Sequence, residues 1–229
     1  MLAVLPGAAA AQTPASAVGL GYPVVPVDGR SAALGGTALG LLGETFSLGN
    51  PADMTQHVNP GFALSFHAEG ADLKGGAEPI DTGRQRFHLV RAIAPFSEWA
   101  IGIAFGSAFD QDWSARFQDT LAISDGLVPF EETREHNGGI STIDLSLART
   151  VGPLAVGVTA SRWIGSLRQT FNRTFGTPIG DSPSLNPAGG SQTLSYKGWR
   201  FQTGAAFDLS DRLYLSGVVS FGSTLSATP

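Results

Sequence analysis

Alternation between two unlike faces constrains the fold of this chain more than any other feature of its sequence. In the stretch 99–110, for example, Ile101, Ile103 and Phe105 alternate with small residues such as Gly102. Successive side chains of a β-strand point to opposite faces of the sheet, so this alternation predicts a strand with one apolar face and one small or polar face. The pattern recurs along the chain and predicts an all-β fold.

Seven stretches follow this pattern and are predicted strands. They are 62–72, 84–94, 99–110, 140–151, 154–169, 199–209 and 213–222. Tight turns are predicted at 95–98, 152–153 and 210–212. Long loops are expected between the third and fourth strands and between the fifth and sixth. The strands would therefore run antiparallel, up and down, with short turns at one end of the sheet and long loops at the other.

The second predicted strand departs from clean alternation. Phe87, Leu89 and Ile93 are expected on one face, because they are spaced by even numbers of residues. Arg91 has the same parity and interrupts that apolar face.

Two architectures place such strands differently. A soluble sandwich turns the apolar face towards a core, whereas an outer-membrane barrel turns it towards lipid and lines its interior with small and polar residues. Charged residues make up 14% of the chain, against roughly 25% in an average soluble domain. The alternation of short turns and long loops is also typical of outer-membrane barrels. We therefore expect a transmembrane β-barrel in the outer membrane of a Gram-negative-type bacterium, with a soluble β-sandwich surface protein as the alternative.

The strand lengths fit that expectation. Trp99 and Phe109 are predicted to lie ten residues apart on one face, and Trp199 to Leu209 has nearly the same span. At about 3.3 Å per residue and a tilt of about 45° this spans about 23 Å, close to the height of the apolar band of such barrels. Aromatic residues near the strand ends are expected to form the two interfacial girdles. They are Trp99 and Tyr214 near the short turns, and Phe109, Trp163 and Trp199 near the long loops.

The residues before the first predicted strand have a different character. Residues 1–17 resemble the end of a secretory signal peptide, although they lack its positive start. Residues 18–60 are rich in Gly, Ala and Pro, with a short helix expected within 30–43 and a turn at Asn50-Pro51. The expected organisation is therefore a signal remnant (1–17), an N-terminal plug (18–60) and a barrel (61–229).

The plug carries two short motifs in order. The run Arg30-Ser-Ala-Ala-Leu-Gly35-Gly36-Thr-Ala-Leu is followed by Asn50-Pro51-Ala52, just ahead of the first strand. This arrangement resembles the N-terminal hatch of the FadL-type long-chain fatty-acid transporter superfamily, which includes PorV-like proteins of type IX secretion. The chain departs from the family pattern around Asn50-Pro51-Ala52, where relatives have an aromatic residue before Asn and Gly-Leu after Ala.

The resemblance implies a hatch-plugged barrel that admits hydrophobic small molecules such as long-chain fatty acids. It also implies a barrel of about 14 strands, whereas seven are predicted here, and single-chain bacterial barrels close with an even number. The sequence is therefore interpreted as an N-terminal fragment. A PorV-like barrel that binds secreted proteins at the cell surface is the alternative function, with a secretion-system protein as partner. Outer-membrane lipid and hydrophobic cargo are the other expected partners.

No catalytic chemistry is expected. The four histidines, His57, His67, His88 and His136, lack metal-ligand spacing, and no phosphate loop or nucleophile elbow occurs. We expect no enzyme activity, no metal and no cofactor. A net charge of −5 argues against nucleic-acid binding, which needs a basic surface.

Polar residues on the small face are candidates for contacts with the hatch or with cargo. They are His67, Glu69, Asp144, Arg200, Gln202 and Asp208. Buried charges need partners, and Arg30 is expected to pair with one of these acids. The acidic stretch 110–136 is interpreted as a solvated loop, with divalent-cation binding or a partner surface as its functional alternatives.

Overall fold

The computed structural model describes residues 20–24, 26–73, 80–123, 126–177, 179–180, 185–210, 213–222 and 224–229. Of these, only the backbone is described for residues 22, 67–73, 80–86, 123, 126 and 179–180. The predicted signal remnant (1–17) and the tip of the predicted turn at 210–212 lie outside the described residues.

The described chain forms one antiparallel sheet of ten strands. They are β1 (Tyr22–Pro23), β2 (Gly61–Leu73), β3 (Ile80–Phe96), β4 (Trp99–Ile123), β5 (Gly126–Val151), β6 (Leu154–Phe175), β7 (Ile179–Gly180), β8 (Ala188–Ser210), β9 (Leu213–Gly222) and β10 (Ser226–Thr228). The long strands follow one another in the order β2-β3-β4-β5-β6-β8-β9, and the short strands β1, β7 and β10 pair with β4, β5 and β8. All seven predicted strands are therefore present, and the fold is all-β, antiparallel and up-and-down. Within the described residues β2 and β9 do not pair, so the sheet is not closed.

The predicted long loops are largely strand. β4 and β5 pair continuously from Trp99 opposite Arg149, across one bulge, to Ile123 opposite Gly126. β6 and β8 pair as far as Arg173 opposite Ala188. The prediction of loops was wrong because polar residues lie on both faces of these extensions, which removes the alternation that marks a strand with one apolar face.

A β-bulge explains the irregular second strand. Ser65 pairs with Leu89 but Phe66 pairs with Phe87, so His88 is an extra residue on β3. An extra residue reverses which face each later side chain occupies. Phe87 is accordingly exposed and meets the Phe66 ring at 5.4 Å, whereas Leu89 is buried on the opposite face. The prediction that Phe87 shares a face with Leu89 was wrong.

The two faces of the sheet have opposite environments. Large apolar side chains on one face are solvent-exposed, and we call this the bare face. Its members include Phe62, Leu64, Phe66, Ile101, Ile103, Phe105, Ile143, Leu145, Leu147, Val156, Val158, Phe201, Leu215, Val219 and Phe221. The other face, the covered face, carries small and polar residues such as Ala100, Ala104, Thr142 and Ser146, which are buried.

Only some of the aromatic residues predicted to form the girdles lie on the bare face. Trp99 and Trp199 are exposed there, with Arg149 and Arg162 each 5.0 Å from the respective ring centre. Phe109 and Trp163 instead pack into a buried cluster on the covered face. Phe109 is turned inward by a second bulge, where Ala108 is the extra residue between the pairs Ser107–Ser141 and Phe109–Ile140. Tyr214 also faces inward and donates to the N-terminal segment.

The N-terminal segment, residues 20–60, lies on the covered face. It contains the short helix α1 (Gly29–Ala33), a bend in which Gly35, Gly36, Gly40 and Gly43 have positive φ, and a 3₁₀ helix (Pro51–Gln56). The short helix was predicted, but a 3₁₀ helix with Asn50 as its N-cap replaces the predicted turn at Asn50-Pro51. Among the described residues, no helix combines the length and the apolar character needed to cross a membrane.

Candidate functional site: the interface between the N-terminal segment and the covered face

Met54 anchors the N-terminal segment to the middle of the sheet. It is fully buried and packs with Ile93, Ala100 and Ala148, and Phe46 completes the cluster. Strand β4 makes room for it with a glycine, since a Cβ at Gly102 would lie 2.6 Å from the Met54 sulfur. The small residues of the covered face therefore let the segment approach the strand backbone.

Two further glycines allow the same close approach beside the 3₁₀ helix. A Cβ at Gly157 on β6 would lie 2.6 Å from the backbone of Pro51 and Ala52. A Cβ at Gly204 on β8 would lie 1.8 Å from the Asn50 side-chain oxygen. These distances are shorter than any normal contact, so glycine is required at both places while the segment stays in position.

Asn50 links the segment to the last two long strands. Its amide nitrogen donates to the Ser216 hydroxyl at 2.7 Å and to the Ala205 carbonyl at 3.2 Å. Its side-chain oxygen accepts from the Ala52 N–H at 3.0 Å and caps the 3₁₀ helix. Both ends of the amide are thus satisfied in a buried site, which is the condition for burying a polar group at low cost.

Asp28 organises the segment internally. Its carboxylate accepts from the N–H groups of Ser31 and Phe46, at 2.8 and 2.6 Å, and from the Thr45 hydroxyl at 3.0 Å. Burial raises the pKa of Asp28, but the hydrogen bonds outweigh burial and the pKa lies below the ordinary value of 3.8. Asp28 is therefore ionised at neutral pH and fixes the start of α1.

Asp53 contacts the last long strand through its carboxylate. It is 2% exposed and accepts from the Tyr214 hydroxyl at 2.6 Å, while the Gln56 amide donates to the same hydroxyl at 2.8 Å. Burial raises the pKa of Asp53 to about 6, against the opposing effects of the Tyr214 hydrogen bond and the Arg91 charge. This carboxyl consequently titrates near neutral pH.

Arg91 supplies the positive charge of the interface. It is 2% exposed, lies on β3, and donates to the backbone carbonyls of Phe46 (3.2 Å) and Ser47. The charges of Asp144, Asp53 and Asp28 all act on its guanidinium. The charges of two acids of the N-terminal segment and of one acid of β5 therefore act on one strand arginine.

In the described structure Arg30 binds carbonyl groups of its own segment. It is exposed and donates to the carbonyls of Leu42 (2.6 Å) and Glu44 (3.4 Å), so it closes the glycine bend of its own segment. The prediction that Arg30 pairs with an acid of the sheet finds no such pair in the described structure. Arg91 was not predicted to be a site residue, because it was interpreted only as an interruption of the apolar face. A single arginine within an apolar run is the signal that could have identified it.

The other predicted residues have separate positions. Gln202 donates to the Gly49 carbonyl at 2.7 Å, and Asp144 accepts from the Thr142 hydroxyl at 3.1 Å. Arg200 lies against Trp163, and Asp208 is exposed near the short turns. His67 and Glu69 belong to β2, and their side chains lie outside the described residues. Gln202 is thus the predicted residue that hydrogen-bonds to the N-terminal segment, while Asp144 acts on the interface through Arg91.

The acidic stretch 110–136 is a strand hairpin whose acids are partly paired with arginines. Glu131 lies 3.4 Å from Arg116, and Glu132 contacts both Arg134 and Arg173. Within the described ranges no group of three or more His, Asp or Glu side chains could hold a metal ion. These ion pairs account for part of the charge that the sequence concentrates there.

Comparisons with protein-family models, with curated proteins and with solved structures find no match to this chain. The similarity to the FadL-type superfamily therefore rests on the sequence motif alone. The structure places the two halves of that motif in different roles: Gly35 and Gly36 form the bend, whereas Asn50, Pro51 and Ala52 contact the strands.

Proposed function

We propose that this chain is the hatch-bearing part of an outer-membrane β-barrel that admits hydrophobic small molecules. The observation that carries the proposal is the inversion of the sheet. Its large apolar side chains are exposed, Leu145 to 59% and Ile103 to 57%, while its small and polar face is buried under the N-terminal segment. An apolar surface of this extent needs an apolar environment, and lipid provides one.

The N-terminal segment occupies the place that a hatch would take. It covers the polar face, contacts β3, β4, β5, β6, β8 and β9, and is held by hydrogen bonds and by the charges around Arg91 besides the Met54 cluster. Water can replace polar contacts of this kind when the segment moves, whereas it cannot replace the contacts of a large apolar interface. We propose that the segment shifts to let cargo pass, without any covalent chemistry.

A charge placed on the bare face tests the membrane environment. Leu145→Arg should cost about 2–4 kcal/mol of stability in a bilayer if Leu145 lies near its midplane. Leu127→Arg is the matched control, because Leu127 is also exposed and on the same strand and face but lies at the far tip of the β4–β5 hairpin. Equal urea midpoints for the two variants in lipid vesicles would contradict the membrane proposal, and so would full solubility of the wild type without detergent.

Passage of cargo is tested by removing residues 20–60. The variant, once shown to be inserted in the outer membrane, should change the uptake of a hydrophobic fluorescent probe by intact cells. Asn50→Ala, which removes the contacts with Ser216 and Ala205, should change uptake in the same direction by less. Unchanged uptake in an inserted deletion variant would count against a hatch.

The PorV-like alternative is favoured by one observation. The β4–β5 hairpin extends far beyond the N-terminal segment and carries charged residues on both faces. Such an extension offers a surface for a secreted protein. Capture of a secretion-system partner by cells displaying the protein, lost on shortening this hairpin and accompanied by unchanged probe uptake, would favour that function over transport.

A further inference from the structure

A cavity of about 300 Å³ lies between the N-terminal segment and the covered face. It is separate from the Arg91 cluster described above. Its apolar and aromatic walls include Val24, Pro26, Leu48, Phe109 and Trp163. Its cationic residue is Arg200, whose guanidinium carbon lies 5.4 Å from the Trp163 ring centre.

Two hydrogen-bond donors at this cavity lack an acceptor. The Nε atom of Arg200 and the Nε1 atom of Trp163 are both buried, and neither has a partner in the part of the chain that the structure describes. Of the polar wall residues, Gln202 donates its amide to Gly49 and Thr142 donates its hydroxyl to Asp144, while Ser161 Oγ and Asp144 Oδ1 on the adjacent strands make no hydrogen bond to either donor. Buried donors left unsatisfied are costly, particularly on a charged group.

We infer that this cavity binds a compact monocarboxylate with an aromatic or cyclic body, and that Arg200 and Trp163 hold its carboxylate. A carboxylate satisfies both requirements of the site at once, because it brings acceptor oxygens and the negative charge that a guanidinium prefers. The rings of Phe109 and Trp163 provide flat apolar surface for the body of the ligand.

The walls of the cavity favour one kind of carboxylate. The cavity of about 300 Å³ lies at the lower end of small-molecule sites, and its aromatic walls favour a compact ring over an extended acyl chain. Such a ligand is a narrower class than the hydrophobic small molecules proposed above. Its route to the cavity rests on the proposed function, but its binding is measurable without transport.

Arg200 and Arg162 provide a matched pair of variants for a binding experiment. Arg162 lies over Trp199 on the bare face much as Arg200 lies over Trp163 at the cavity. The complete chain, refolded in a neutral detergent, is titrated with benzoate by calorimetry. Benzoate should bind saturably, Arg200→Gln should weaken it about tenfold to a hundredfold, and Arg162→Gln should leave it unchanged.

Three comparison ligands test the parts of the inference separately. Benzamide has the same shape without the charge, acetate has the charge without the body, and hexadecanoate has a long chain. Each should bind more weakly than benzoate. Equal binding of benzamide would overturn the carboxylate assignment, and equal binding of acetate or hexadecanoate would overturn the compact body.

A second variant guards against misfolding of Arg200→Gln. Trp163→Phe keeps a six-membered aromatic ring at the cavity but removes the indole N–H with the pyrrole part of the ring, so it should weaken benzoate several-fold. Because Trp163 also packs against a buried cluster, the urea midpoint of the variant is measured to show that it is folded. No saturable binding by folded wild type overturns the inference while leaving a membrane-inserted, probe-permeable barrel intact. Benzoate binding by a chain that fails the Leu145→Arg test would instead overturn the proposed function alone.

Discussion

The two faces of one sheet are stabilised in opposite ways. On the bare face, Ile103 and Leu145 lie opposite each other on β4 and β5 and remain 57% and 59% exposed, so their contribution to stability depends on the surrounding medium. On the covered face, small residues such as Gly157 admit the N-terminal segment, whose Phe46 and Ser47 carbonyls accept hydrogen bonds from Arg91. The comparison shows that large hydrophobic residues can mark the outside of a sheet and glycines its best-packed side.

Loss of the buried cation should have the largest effect on the covered face. Arg91→Met removes the guanidinium that donates to the Phe46 and Ser47 carbonyls and whose charge acts on the acids at 28, 53 and 144, and leaving these buried groups without it should cost about 2–5 kcal/mol. Arg162→Gln, on the bare face, should cost less than about 1 kcal/mol. The free energy of unfolding in urea, measured in detergent micelles, checks both values. Similar losses for the two variants would remove the distinction between the faces.

Protonation of Asp53 should tighten the interface. Its folded pKa of about 6 exceeds the ordinary 3.8, so the folded state holds this proton more tightly than the unfolded state. The free energy of unfolding should therefore fall as pH rises from about 4 through 6, by up to about 3 kcal/mol, and stay level above that range. The pKa of Asp28 is lowered, so this group titrates below that pH range and its contribution to the free energy of unfolding rises with pH.

Asp53→Asn checks that assignment. The variant keeps an acceptor for the Tyr214 hydroxyl but cannot ionise, so its urea midpoint should lack the decline between pH 4 and 6. A decline of the same size in the variant would assign the titration to another group.

Glycine-to-alanine substitutions, one on each face, should change the stability least, and the direction of the change should differ between the two faces. Gly157→Ala places a Cβ against the backbone of Pro51 and Ala52 and should destabilise by about 1–3 kcal/mol. Gly217→Ala, on the bare face, meets nothing within 4 Å and should be neutral or stabilise by about 0.5–1 kcal/mol. Thermal midpoints of the two variants should therefore move in opposite directions, or only that of Gly157→Ala should fall.

Local pattern predicted the strands well and their ends poorly. The alternation around Ile103 and Leu145 identified β4 and β5, because one face is uniformly apolar there. It failed beyond Asp110, where neither face is uniformly apolar and yet the pairing of β4 with β5 continues to the hairpin tip. Ladder hydrogen bonds form between distant residues, so a single stretch of sequence does not reveal them.

The candidate site was less predictable than the strands. Asn50, Pro51 and Ala52 were identified from a motif, and Gln202 from its face, whereas Arg91, Asp28 and Asp53 were not selected. Phe109 and Phe87 were placed on the wrong face, since a bulge adds one residue without a distinctive sequence signal. Their positions depend on which residues of the neighbouring strand they pair with.

The amino-acid pattern alone is enough to predict β-strands with one apolar and one small or polar face, because the period of two is a local property of the extended backbone. Which of the two faces is covered depends on how the chain packs. Packing also brings the charges of acids from two other segments to act on Arg91 and sets Arg200 and Trp163 at a cavity. These arrangements join residues far apart in the chain, and their energies depend on burial and on distances that no local pattern contains.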